Sequence, residues 1–143
     1  DGTAKMSKSD SSDNSRINMT DGADVIARKI RRARTDPEPL PGAVAGLADR
    51  PEADNLVSIY ASFADQSREE VCQEFEGAPF SKFKEELTAL AVAELAPITA
   101  ELRRLLADPG YLDELLEGGA ARARAQAAPV LREIKEIVGL LQG

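Results

Sequence analysis

Residues 78–108, APFSKFKEELTALAVAELAPITAELRRLLAD, place apolar side chains at Phe80, Phe83, Leu87, Leu90, Ala91, Leu95, Ile98, Leu102 and Leu105. Intervals of three and four gather such a set onto one face of an α-helix and would scatter it over both faces of a strand. Similar spacing recurs at Val25, Ile26, Ile30 and Ala33, at Leu56, Ile59, Tyr60 and Phe63, and at Tyr111, Leu112, Leu115 and Leu116. No stretch shows the alternation of Val or Ile with polar residues that marks a half-buried strand, so no sheet is placed. The chain is expected to be all-α, a helical bundle, and its 143 residues suffice for one domain with a hydrophobic core.

The punctuation of the chain divides it further. Residues 1–20 are rich in Gly, Ser, Asp and Asn and read as a polar loop. Residues 21–35 read as a short basic helix, with Asp21 as its N-cap, Asp24 in its first turn, and Arg28, Lys29, Arg31, Arg32 and Arg34 on its flanks. Residues 36–143 form the remaining helical domain, entered through a Pro- and Gly-rich surface segment before DNLVSIYASFAD. Ser67 and Glu70 have capping-box spacing, and Cys72 between Val71 and Phe75 reads as a small buried apolar residue. Pro97 is expected to bend or divide the long helix. Gly118 and Gly119 are expected to loosen the chain before a last helix, which Pro129 would kink.

Several chemistries are excluded by what is missing. With no histidine and one cysteine, the chain has no imidazole acid or base, no internal disulfide and none of the usual zinc sites. No loop has the spacing of an EF-hand, and no metal site is predicted. No apolar run approaches eighteen residues, so a cytoplasmic protein without a membrane partner is expected. The formal charge of -7 is unevenly spread: residues 1–35 hold eight Lys/Arg against five Asp/Glu, the rest ten against twenty. An anionic ligand is therefore sought at the basic beginning.

That beginning contains KMSKS, residues 5–9. Lys5 and Lys8 are compact ammonium charges on one loop, suited to a triphosphate or to pyrophosphate, and Ser7 and Ser9 add hydroxyls near backbone N–H groups. Read from residue types alone, a solvated terminal tail accounts for the same composition.

KMSKS resembles the nucleotide-binding signature loop of class I aminoacyl-tRNA synthetases, and KMSKSDSSDNSRINMTD resembles the form found in the bacterial-type tryptophanyl enzymes. KIRRARTD, RPEADNLVSIYASFAD, FEGAPFSKFKEELTALAVAELAPI and RARAQAAPVLREIKEIVGLL resemble later segments of the same family, so the likeness covers essentially the whole chain. It implies a C-terminal portion: the signature loop at the tail of a Rossmann-type catalytic domain that is otherwise missing, a basic linking helix, and an anticodon-binding helical domain. The start at Asp1, without an initiator methionine, fits a piece of something larger.

The family's reaction activates L-tryptophan with ATP, as its Mg2+ complex, to tryptophanyl-adenylate and pyrophosphate, then transfers the amino acid to tRNA(Trp). By resemblance, Lys8 stabilises the leaving pyrophosphate, Lys5 neutralises the triphosphate, Met6 lies beside adenine through its backbone, and Ser7 and Ser9 lie near phosphate. The isolated piece is expected to be inactive, and the complete protein a homodimer. One departure stands out, since Ser11 occupies a position where many relatives have proline, which bears on the rigidity of the loop exit. Candidate tRNA contacts are Arg28 and Arg32, which share a helix face, with Arg103, Arg104, Arg122 and Arg124. Tyr60 and Tyr111 are the possible base-stacking residues, though core positions suit both. The rival reading is a standalone helical tRNA-binding or adaptor module without catalysis.

Overall fold

A computed structural model of the chain describes residues 2, 6, 7 and 9–140. Its elements are α1 (Ala23–Arg32), α2 (Pro51–Ala64), α3 (Arg68–Glu74), α4 (Phe80–Leu106) and α5 (Pro109–Ile137), with 3-10 turns at Asp13–Ser15 and Val44–Leu47. Among the described residues there is no strand. The expected all-α class holds, and the chain forms two compact units, one up to Leu102 and one from Arg103.

Local chemistry accounts for most of the helix ends. Pro51 and Pro109 open α2 and α5, where the absent N–H removes a donor the first turn could not have satisfied. Asp108 caps α5 by accepting from the Tyr111 amide at 3.1 Å. The predicted capping box closes α3: the Glu70 amide donates to Ser67 Oγ, and the Ser67 amide donates to the Glu70 carboxylate at 2.7 Å. Gly139, at a φ of +71°, follows α5 in the left-handed conformation, so that the Leu140 amide turns back onto the Lys135 carbonyl at 2.9 Å.

The first unit has the core. Tyr60, Phe75, Phe80 and Phe83 form an aromatic cluster with Phe83 at its centre, 4.9 Å from the Phe75 ring and 5.4 Å from Tyr60 by centroids. Phe83, Leu87 and Ala91 on α4 are completely or almost completely buried, as are Val57 on α2 and Val71 and Cys72 on α3. On α4 these are residues the three-and-four spacing selects; on α2 it selects Leu56, which is buried, and Ile59, Tyr60 and Phe63, which are half-buried, and it passes over Val57. Burial pushes the Cys72 thiol above its ordinary pKa, as befits a packing residue rather than a nucleophile.

Two cationic side chains pin segments that have little apolar surface. Arg50 grips the proline-rich stretch: its guanidinium donates to both Asp36 oxygens, at 2.7 and 3.0 Å, and to the carbonyls of Glu38 and Pro39, each at 2.8 Å. Lys84 reaches from α4 to the end of α1 and donates to the Ala33 carbonyl at 2.6 Å, where a cation suits the negative end of the helix.

In the second unit none of the described residues is buried. Tyr111 is accordingly exposed rather than in a core.

One expectation about breaks needs correction, the loosening at Gly118 and Gly119 before a separate last helix. Pro97 does not divide α4, and α5 runs unbroken through Gly118, Gly119 and Pro129. Pro97 and Pro129 are exposed, as are Ala93 and Ala125, whose carbonyls lose their amide partners, so water can satisfy those oxygens. Two glycines cost a helix roughly 2 kcal/mol against alanine, which the flanking Ala, Leu, Glu and Arg residues offset by their own propensity.

Candidate nucleotide-loop cleft and basic helix

A cleft of about 540 Å³ opens in the first unit between the start of the chain and the helices. Its floor is apolar, from Ile17, Ile30, Leu56, Ile59, Phe63, Leu87 and Ala91; its rim carries Met6, Ser7, Asp10, Arg16, Lys29, Arg34 and Glu52. Met6 and Ser7, two of the predicted loop residues, therefore face the same space as α1. The Ser9 amide donates to Ser7 Oγ at 3.3 Å, and the Asp10 amide to the Ser7 carbonyl at 3.2 Å. Lys5 and Lys8 lie outside the described residues.

The rim is built around Lys29. One turn from both Ile26 and Ala33 and beside Ile30, this side chain points inward and is only 3% exposed. Its ammonium meets Asp21 at 2.6 Å and Asp13 at 2.7 Å. Asp21 also accepts from the Asn18 amide at 2.9 Å, and the Asn18 side chain donates to Asp13 at 2.8 Å. Arg16 completes the knot, pairing with Asp13 at 3.3 Å and donating to the carbonyls of Asp10 and Ser12.

This arrangement revises two readings of the sequence. Lys29 is not on a solvated flank of α1, and Asp21 is not its N-cap; Gly22 takes that place, without a side-chain cap. The usable signal was the helical spacing itself, because position 29 falls between 26 and 33 on the apolar face. Arg16 was missed altogether, for nothing local distinguishes it from any other polar loop residue.

The electrostatics follow from the contacts. The Asp13 carboxyl is held below its ordinary pKa, first by the hydrogen bond from Lys29 and then by that from Asn18. Burial works against ionised Asp21, but Lys29 and the Asn18 amide outweigh it, and the net shift is again downward. Desolvation likewise opposes charge on Lys29, and the two aspartates overcome it, raising its pKa. Arg34 faces Glu52 at 3.6 Å. The described cations of the rim are thus already matched to carboxylates.

The candidate tRNA contacts lie elsewhere. Arg28 and Arg32 are exposed on α1, and neither belongs to the cleft lining. In the second unit, Arg103 and Arg104 are exposed at the end of α4, and Arg122 and Arg124 are exposed on α5. The Arg122 guanidinium lies back over Gly118, 3.8 Å from where a Cβ would stand. Tyr60 packs against Phe75 and Phe83 in the core and does not offer a stacking face, as its spacing suggested.

Comparison with known proteins adds an independent line. Residues 1–96 match the family model described as tRNA synthetases class I (W and Y). The chain is 57% identical over 142 residues to the tryptophan–tRNA ligase of Rhizobium meliloti, which covers 99% of the chain and 40% of that relative. It is 55% identical over 139 residues to the tryptophan–tRNA ligase of Caulobacter vibrioides, with 97% of the chain and 40% of the relative covered. The corresponding protein of Synechocystis is 39% identical over 141 residues, 99% of the chain and 41% of its own length. The chain spans about 40% of the length of these curated relatives.

Proposed function

This chain belongs to the class I tRNA synthetases of the tryptophan and tyrosine type, and from that membership we propose that it is the C-terminal portion of a tryptophan–tRNA ligase. The complete protein joins tryptophan to ATP, releasing pyrophosphate, and passes the activated amino acid to tRNA(Trp). The observation that carries this reading is 57% identity sustained over 99% of the chain, signature loop included.

Within the portion, the division of labour follows the residues. Residues 1–20 supply the phosphate-binding loop, 21–35 a basic linking helix, and 36–143 the helices that meet the anticodon. Lys8 stabilises the charge that develops on the leaving pyrophosphate, and Lys5 neutralises the triphosphate. Met6 approaches adenine through its backbone, with Ser7 and Ser9 at the phosphates. The described rim cations are matched to carboxylates, and in this reading the triphosphate is met by the signature lysines Lys5 and Lys8.

ATP enters as its magnesium complex, and the metal travels with the nucleotide. Among the described residues no cluster of three His, Cys, Asp or Glu side chains is arranged to hold a metal ion. Arg28 and Arg32 meet tRNA phosphates from the outer face of α1, with Arg103, Arg104, Arg122 and Arg124 as further contacts. Phosphate contacts of this kind add affinity without reading sequence. The complete protein works as a cytoplasmic homodimer.

The test is tryptophan-dependent exchange of pyrophosphate into ATP by the complete protein. Lys8→Ala is expected to lower kcat by about two to three orders of magnitude, as loss of one transition-state charge contact does elsewhere. Exchange that survives in both Lys5→Ala and Lys8→Ala would refute the roles given to the two lysines, whereas a complete wild-type protein that binds tRNA without exchange would favour a tRNA-binding module without catalysis.

A further inference from the structure

The polar stretch from Asp10 to Asp21 contains a single inward-facing apolar residue, Ile17, too little to hold a backbone in place by burial. It is held instead by one ammonium. Lys29 is 4% exposed and makes 2.6 and 2.7 Å contacts with aspartates that lie eight and sixteen residues before it, one opening the Asp13–Ser15 turn and one beyond it. Asn18 bridges the same two carboxylates, and Arg16 ties Asp13 to the carbonyls of Asp10 and Ser12.

Stability is a poor reason for such a group. Desolvating an ammonium and two carboxylates costs about as much as their attraction returns, and apolar residues of similar size in place of all three would do as well or better for the fold. What the ions add is direction, because an ammonium accepts its partners only at hydrogen-bonding distance and angle, whereas an apolar contact tolerates sliding. Met6 and Ser7 line the cleft that Lys29 also lines, so the segment fixed in this way is the stem from which the signature residues enter.

We infer that Lys29, Asp13 and Asp21 form a positioning clasp that sets the stem of the nucleotide loop on α1, and that they act on ATP use through the loop without touching the nucleotide. This rests on the ligase reading above. An unclasped stem must be ordered anew each time ATP binds, so the cost appears in the ATP dependence of the reaction and leaves tryptophan binding alone.

The test uses pyrophosphate exchange by the complete protein, with ATP and tryptophan varied separately, for wild type, Asp13→Asn, Lys29→Met and Lys29→Arg. Asp13→Asn is the deciding variant because its side chain is 54% exposed and its loss leaves no cavity in the core. The expected result is a fall in kcat/KM for ATP of about tenfold in Asp13→Asn and more in Lys29→Met, with KM for tryptophan within about twofold of wild type. Lys29→Arg, which keeps the charge, should recover part of the loss. Wild-type exchange with an unaltered ATP dependence in Asp13→Asn would overturn the clasp alone. Equal losses for both substrates would assign Lys29 to the fold rather than the loop. A wild type without exchange would overturn the ligase reading, and the clasp's role in ATP use with it.

Discussion

Among individual residues, Lys29 and Arg50 do similar work by different chemistry. Arg50 uses the planar fork of a guanidinium to hold Asp36 by two bonds, together with the Glu38 and Pro39 carbonyls, a geometry lysine could not reproduce. Lys29 uses a point charge at the bottom of a polar knot, and its consequence is a pH window. Asp13 and Asp21 have folded pKa values below the ordinary 3.8, so they bind fewer protons folded than unfolded. Their contribution to stability is complete above that value and is lost as pH falls through the folded pKa. Lys29 is shifted the other way, above 10.5, so its contribution is complete below that value and lost as pH rises through the folded pKa. The knot should hold between about pH 4 and pH 10. Urea unfolding of wild type and Asp21→Asn checks this: the wild type should be the more stable at neutral pH, with the difference shrinking as the pH drops below about 4. A difference independent of pH would rule out the ion pair as its source.

At the level of elements, α4 does more than contribute a face to the core. Lys84 donates to the Ala33 carbonyl at 2.6 Å and approaches that of Arg31 at 3.4 Å, so one helix caps the end of another. Its burial lowers the Lys84 pKa, yet the position at a helix C-terminus favours the charged form. Lys84→Met keeps most of the buried stem and removes the donor, and is expected to cost about 1 kcal/mol in urea unfolding. No measurable loss would mean that water caps α1 equally well. Elements were legible where their signal is local: the capping box of α3 needs only residues 67–70, and the apolar face of α4 only its own periodicity. The glycines of α5 misled for the same reason, because a local breaker states a cost without stating what the neighbours offset.

For the molecule as a whole, the two units differ in what holds them. Every buried apolar residue described lies between Ile26 and Leu95, and the family model ends at residue 96. A chain ended at Leu102 is therefore expected to keep a single cooperative unfolding transition, followed by circular dichroism; a broad or absent transition would show that the core needs residues beyond it. Composition and periodicity were enough for the all-α class, for the apolar face of α4 with Phe83, Leu87 and Ala91, for a buried Cys72 and, through the signature and its flanking segments, for the family. Each of these depends on residues within a turn or two of one another, or on sheer residue type. Tertiary structure alone decided which carboxylates answer Lys29, that Asp21 serves it rather than capping α1, that Arg16 belongs to the knot, and that Lys84 caps a helix some fifty residues away. Whether a charge is solvated or buried depends on which distant groups desolvate it and which carboxylate or carbonyl answers it, and that partner is set by packing rather than by its neighbours along the chain.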